Sequence, residues 1–344
     1  AIEVKIQPDD AEWDAGDIRY NVLRWTSSPN APFGGYGPSF VNPRTGEIIG
    51  ADIMLEWVYA TNRLTINDIF NSSHLSTECS IGNLMQEGNM MSYLTSLDKD
   101  DPEILKQSII RLTLHEVGHT LGLNHNFKAS FLHDSKNVHN KELTQKVGLT
   151  GSVMEYPAVN IAPLGVEQGD YYDTRTGPYD LWAIEFGYTP QLTEEERRNL
   201  LSKSNRHEHM FANDSEDMRS PGRGVDPRAM INDLSSEPII YAEQRIELVN
   251  DTVSKLPSIL AGKASSWEEY RNAYKILLRE SGRSLDTVSR YIGGVYVNRS
   301  TPAQKSDKLP YEPVPLSKQR QAMKVLTDHA FSVNAFPING ELLS

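Results

Sequence analysis

Cysteine is nearly absent from the 344-residue sequence. Cys79 stands alone, so no disulfide framework can form within the chain, and the redox compartment is left open. No motif surrounds it, and a small buried or half-buried thiol is the simpler reading than a nucleophile. Long apolar runs are also missing, which excludes a transmembrane helix, and the first residues lack the charged-then-apolar pattern of a secretion signal. The start at Ala1 without methionine is expected to reflect processing or trimming of the chain, either of which would have removed any export signal. Basic residues are the minority, 34 against 46 acidic, and the net charge of −12 argues against a surface that grips nucleic acid. Repeats and low-complexity tracts are absent too. What remains, 38% hydrophobic and 23% charged, is an ordinary globular composition with length for one large domain or two.

Against this plain background one stretch stands out. His115-Glu116-Val117-Gly118-His119-Thr120-Leu121-Gly122-Leu123-Asn124-His125 reads H-E-x-x-H-x-x-G-x-x-H. Residues four apart share one face of a helix, so His115 and His119 can aim their rings at one point with Glu116 beside them. Gly122 can adopt the left-handed conformation that ends a helix, which turns the chain and returns His125 as a third ligand. Three neutral imidazoles with one coordination position left open describe a catalytic zinc site. By average residue usage, five such fixed positions arise by chance in roughly one chain in 10⁵ of this length.

The surrounding chain supplies a scaffold. Ile18 to Trp25 is rich in β-branched and aromatic residues and predicts a strand. Phe33 to Pro38 has the wrong neighbours for a phosphate cradle and is expected to be a flexible loop. Ile49, Ala51, Ile53, Leu55 and Trp57 alternate with more polar or smaller residues, a half-buried strand that closes a hairpin with Ser39 to Asn42 across the Asn42–Gly46 turn. Tyr59 to Phe70 predicts a short helix, and Met85, Met90 and Met91 are expected to fill core space rather than bind a soft metal. Asp101-Pro102-Glu103 opens a helix of roughly twenty residues, with Ile110, Leu114, Val117 and Leu121 as the stripe against the sheet. The polar stretch 126–150 predicts loop or short helix, with His133 and His139 solvated. Gly151 to Pro157 is a small-residue turn around Met154, and Tyr179 to Gly187 a short helix with Leu181, Ile184 and Phe186 apolar.

Beyond about residue 190 the composition shifts to polar helices. Glu194 to Arg198 is a solvated face. His207 and His209 would share a face of a strand, and the aspartates of 213–233 would allow calcium, but neither has a recognisable ligand spacing. Helices are predicted over 236–260 (Ile240, Ile246, Val249 and Val253 inward), 266–278 behind a Ser266 capping box, 284–296 and 317–331, with the proline-rich 302–315 as a surface connection.

With motif and methionine turn together, the chain resembles the metzincin zinc peptidases, and more closely the met-zincin domain of large bacterial zinc-dependent metalloproteases. The stretches that carry the likeness are DIRYNVLRW (17–25), NPRTGEIIGADI (42–53), HEVGHTLGLNHNF (115–127), SVMEYP (152–157) and GPYDLWAIEFGY (177–188). The resemblance implies an α+β, metzincin-like zincin fold: a twisted mixed β-sheet packed on a long active-site helix. It further implies a catalytic core over 1–190 and a mostly helical C-terminal subdomain over 191–344. It implies one catalytic zinc ion on His115, His119 and His125, Glu116 as an ionised general base, Met154 as the floor beneath the metal, and Tyr156 as hydrogen-bond donor to the oxyanion. An extended peptide or protein substrate would lie beside the strand Ile48 to Trp57, in a secreted or cell-envelope enzyme. Two features depart from the better-known branches: Asn126 follows the third histidine, and the interval from His125 to Met154 is long. Substrate preference therefore does not carry over. A zinc-retaining binding or scaffold module is the alternative from another class, and a metalloenzyme of non-peptide substrates would keep the same ligands. The intact Glu116 favours the enzyme.

Overall fold

The computed structural model describes residues 3–28, 34–57, 102–218, 224–260, 267–301, 304 and 308–336. The predicted helix at 59–70, the three methionines, Cys79, Asp101 and Ser266 lie outside the described residues. The fold is α+β. A small mixed sheet rests on one long helix, and a helical C-terminal part packs over the loops between them.

Strand β1 (Val22–Thr26) runs parallel to β4 (Ile48–Glu56), while β2 (Gly35–Tyr36) and β3 (Ser39–Val41) pair antiparallel with the other side of β4. The β3–β4 hairpin turns where expected. Asn42 Oδ1 accepts from Arg44 N at 3.0 Å, and Gly46 takes φ 76°, which suits a residue without Cβ. The first strand starts later than the composition suggests, because Asp17 organises the chain before it: Tyr20 N–H donates to Asp17 O at 3.0 Å and Arg19 N–H to Asp17 Oδ1 at 3.1 Å. The alternating face of β4 is buried only at Ile53 and Leu55. Ile49 and Trp57 remain about half exposed, at 50% and 48%.

Helix α1 (Pro102–Thr120) begins with proline and carries Glu103 in its first turn. Leu112, 1% exposed, packs on Ile53 and Leu55, with Ile109 and Val117 at the margin. The predicted stripe is therefore rotated: Ile110 and Leu114 are only half-buried, and polar residues take the inner face. The reason is hydrogen-bonding demand from the loops beneath. Gln107 Oε1 accepts from Tyr171 N–H at 2.9 Å, and Arg111 Nη2 donates to Glu155 O at 3.3 Å.

Residues 126–177 hold little regular structure apart from α2 (Lys141–Val147), yet they are largely buried. Side chains stand in for ladder partners. Asp173 accepts from the N–H groups of Leu149 and Thr150, and Asn160 Nδ2 donates to Val138 O and Asp170 O. His133 and His139 are buried as well, contrary to their expected solvation. His133 Nε2 donates to Gly148 O at 2.8 Å, and His139 stacks near Tyr241. What covers them comes from far along the chain. Helix α3 (Pro178–Tyr188) buries Asp180 rather than Leu181, which is exposed, and continues through Gly187; the exposed α4 (Glu194–Leu201) follows.

Helices α5 (Pro238–Leu260) and α6 (Trp267–Ser289) form the largest apolar contact, closing Val249, Val253, Leu256 and Leu277 over Val159, Ile161 and Tyr172. The predicted inward positions Ile246, Val249 and Val253 are buried; Ile240 is half-buried, and Ile239 takes the inner place. Helix α6 absorbs the start of the helix predicted at 284–296. It stops before Gly293 (φ 73°), and Val295–Val297 forms β5, antiparallel to β6 (Tyr311–Pro313). Helix α7 (Leu316–Leu326), prolonged by a π-turn to Phe331, completes the described chain.

Candidate metal centre

Helical spacing places His115 and His119 on one face of α1. The helix ends at Gly122, whose φ is 84°, with Leu123 N–H donating to Gly118 O at 3.0 Å. That turn brings His125 back against both. The ring centroids lie 4.8 Å (His115–His119), 4.8 Å (His119–His125) and 5.4 Å (His115–His125) apart. Among the described residues, these three are the one set of His, Cys, Asp or Glu side chains whose ligand atoms converge, all within 4.8 Å of one another. His207 and His209 lie in a 3₁₀ turn, where His209 stacks on Trp182, and they join no such group. Nor do the aspartates of 213–233, of which Asp226 is held by Lys128 and Arg228.

Each ring has its outer nitrogen occupied. His115 Nδ1 lies 2.8 Å from Val153 O, His119 Nδ1 3.1 Å from Leu123 O, and His125 Nδ1 2.9 Å from an Asp214 oxygen. Carbonyls and carboxylates only accept, so the Nδ1 atoms carry the protons and the Nε2 lone pairs point inward. The Nε2 atoms of His119 and His125 then face each other at 3.2 Å, and His115 Nε2 is buried without a hydrogen-bond partner. Lone pairs so directed repel unless a cation lies among them, so this donor set fits a divalent ion. Burial, then the neighbouring imidazoles, push His115 well below the usual histidine range, and the same causes lower His119 to about 4. Both are held neutral, the form that ligates.

Glu116 is buried beside the triad. Burial pushes its carboxyl up to about 7 in the metal-free protein, opposed by the Gly37 N–H that it accepts and by Arg111. An ionised carboxylate was expected from the neighbouring cation; desolvation works against that charge when the cation is missing. The close approach needs glycine. A Cβ on Gly35 would stand 2.6 Å from Glu116 Oε1, and one on Gly37 2.5 Å from Glu116 O. The stretch expected to be a flexible loop is thus a strand and its flank, pressed against the acid. The density of glycines in Gly34-Gly35-Tyr36-Gly37 was the available signal for it.

Residues 152–156 close the site from below. Asp180 accepts from Ser152 Oγ at 2.6 Å and from Val153 N–H at 2.9 Å, which fixes the turn. Met154 is fully buried with its sulfur against Gly118, where any side chain would overlap it. Tyr156 places its hydroxyl 2.9 Å from His125 Nε2 and its ring 4.9 Å from that of His115. A cleft of about 390 Å³ opens over these groups, lined by Gly35 to Gly37, Ser39, Glu116, His119, Gly122 to His125 and Tyr156. Its strand wall is β2 and the start of β3. Strand β4, expected to lie nearest a substrate, pairs with β1 along 52–56 on one side and with β2 and β3 on the other, and it is β2 and β3 that line the cleft.

Asp214 gave no sequence signal, lying 89 residues from His125 in an acidic stretch without a motif. A comparison with protein-family models matches residues 97–343 to the family described as Met-zincin. Neither curated proteins nor solved structures give a match. The matched span takes in all three histidines, Glu116, Met154 and Tyr156 and covers most of the sequence: the chain belongs to the Met-zincin family.

Proposed function

We propose that this protein is a zinc-dependent endopeptidase whose ion is held by His115, His119 and His125. The observation that carries the reading is the convergence of three inward Nε2 atoms with Glu116 and Tyr156 bordering one cleft. A zinc ion in that position supplies Lewis-acid polarisation of the scissile carbonyl and acidifies water. Glu116 takes the proton of the attacking water and returns it to the departing amine. Burial raises its carboxyl and a nearby cation would draw it back toward ionisation, two opposed influences on the group that must both take and return a proton. Tyr156 directs its hydroxyl to the oxyanion of the tetrahedral intermediate. Its position 2.9 Å from His125 Nε2 supports that role, because a group so close to a ligating atom is also close to whatever that atom binds.

An extended peptide is the substrate class that suits the cleft. Gly35 to Gly37 and Ser39, from the strands that pair with β4, form one wall of the cleft, and a substrate backbone laid along that wall is the binding mode of this proposal. Such pairing holds any sequence, and side-chain pockets then select among them. No helix among the described residues is long and apolar enough to cross a membrane. A secreted or envelope location belongs to this proposal.

Cleavage of an unfolded protein such as casein is the test. Activity abolished by a chelator, restored by zinc and missing from Glu116→Ala supports an endopeptidase. Zinc-loaded protein that leaves casein intact contradicts it.

A further inference from the structure

The three imidazoles are not held alike. His115 and His119 stand on a helix, and their Nδ1 protons go to backbone carbonyls of Val153 and Leu123 that the fold itself supplies. His125 lies beyond the helix end and depends on a side chain: both oxygens of Asp214 lie within reach of Nδ1, at 2.9 and 3.0 Å. A carboxylate there fixes the tautomer, turns the Nε2 lone pair inward and strengthens it as a donor.

Asp214 is itself positioned by the residue next to His125. The Asn126 side chain is fully buried and works in both directions, donating from Nδ2 to Met210 O at 2.9 Å and accepting at Oδ1 from Ala212 N–H at 3.2 Å. Phe127 N–H adds a bond to Ala212 O at 2.8 Å. The segment 210–214 is thereby stapled alongside His125, with Asp214 two residues past the last clasp. An aspartate at position 126 would lack the donor, and a serine the reach, so the amide is what this clasp requires.

We infer that Asp214, set in place by Asn126, is the positioning residue that locks His125 as the third metal ligand. The inference rests on the reading that the triad holds zinc. It gives the residue after the third histidine a physical role: Asn126 couples the metal site to a segment about 85 positions downstream.

The test uses the full chain and reads zinc affinity by competition with a chromophoric chelator, together with the melting temperature of the metal-free protein. Asp214 is about half exposed, with 48% of its side chain accessible, so its removal leaves no buried hole. Asp214→Ala is expected to weaken zinc binding by about 10- to 100-fold with the metal-free melting temperature unchanged. Asp214→Asn, which keeps an acceptor without the charge, falls between. Cobalt substituted for zinc gives an altered visible spectrum in Asp214→Ala. Asn126→Ala weakens zinc binding in the wild-type background and has little further effect in Asp214→Ala. If Asn126→Ala fails to fold, the Asp214 variants decide alone. Wild-type zinc affinity in Asp214→Ala overturns the inference while leaving the triad standing. Absence of zinc binding by the wild type overturns both.

Discussion

Glu116 sits where two demands meet. A base must be reachable by water, yet the one proposed here is buried against Gly35 and Gly37, and the Gly37 N–H partly offsets the desolvation that pushes its carboxyl up to about 7. Replacing it by glutamine keeps size and packing while removing the proposed base. Glu116→Gln is expected to lower kcat by at least about 10²-fold with one zinc still bound, as read by metal analysis of the purified variant. Tyr156→Phe removes only a hydroxyl, and a loss of about 10²-fold in kcat with zinc affinity nearly unchanged is expected if that hydroxyl meets the oxyanion. Unchanged turnover in a folded Tyr156→Phe protein would reduce the residue to packing beneath the site. At this scale the sequence was most readable where chemistry fixes local spacing, as in His115, Glu116 and His119 on one helix. It was silent on Asp214, whose partner lies 89 residues away with no period to link them, and it offered the two glycines only as a local cluster that does not name the distant acid pressed against it.

Helix α1 and the turn at 152–156 function as one element. Val153 O holds His115, the Met154 sulfur fills the space that Gly118 leaves, and Arg111 reaches Glu155 O. Gly118→Ala would drive a methyl group into Met154 and is expected to lower the melting temperature, by an overpacking cost of about 1–3 kcal/mol. Shortening the methionine makes room, so the combined Gly118→Ala, Met154→Ala change should cost less than the sum of the two, a coupling that denaturant titration of the four proteins measures. Additive costs would mean that helix and turn are not in contact at this point. The apolar periodicity of α1 misled because its buried face carries Gln107 and Arg111 as hydrogen-bond partners for loops, a duty that hydrophobic spacing does not record. Helix α6 was misdivided for a related reason. Packing on α5 carries it through to Ser289, and the break waits for Gly293.

Across the whole molecule, the long irregular segment from Asn126 to Gly177 owes its burial to helices that follow it. Composition made 126–150 look polar and its two histidines solvated; α5 and its neighbours enclose Val138, His139 and Leu149 instead. The enclosure leaves a pH signature. Burial lowers His139 to about 4, while in the unfolded chain it titrates near its ordinary 6.5. The unfolded state therefore takes up the proton first, and stability contributed by the neutral ring is present above 6.5 and is lost as the pH falls toward 4. His139→Phe keeps a ring against Tyr241 and removes this liability, worth on the order of 3 kcal/mol when fully developed. The stability difference between variant and wild type should shift in favour of the variant between pH 6.5 and 4, followed by urea titration. A difference that is flat with pH would contradict the burial of a neutral histidine.

The most direct measurement titrates zinc into metal-free protein while following cleavage of an unfolded substrate. A triad that holds one catalytic ion, with Glu116 as base, predicts cleavage that rises in proportion to zinc and levels at one equivalent, while Glu116→Gln binds the same equivalent and stays silent. Cleavage that ignores zinc, or that persists in Glu116→Gln, would contradict it.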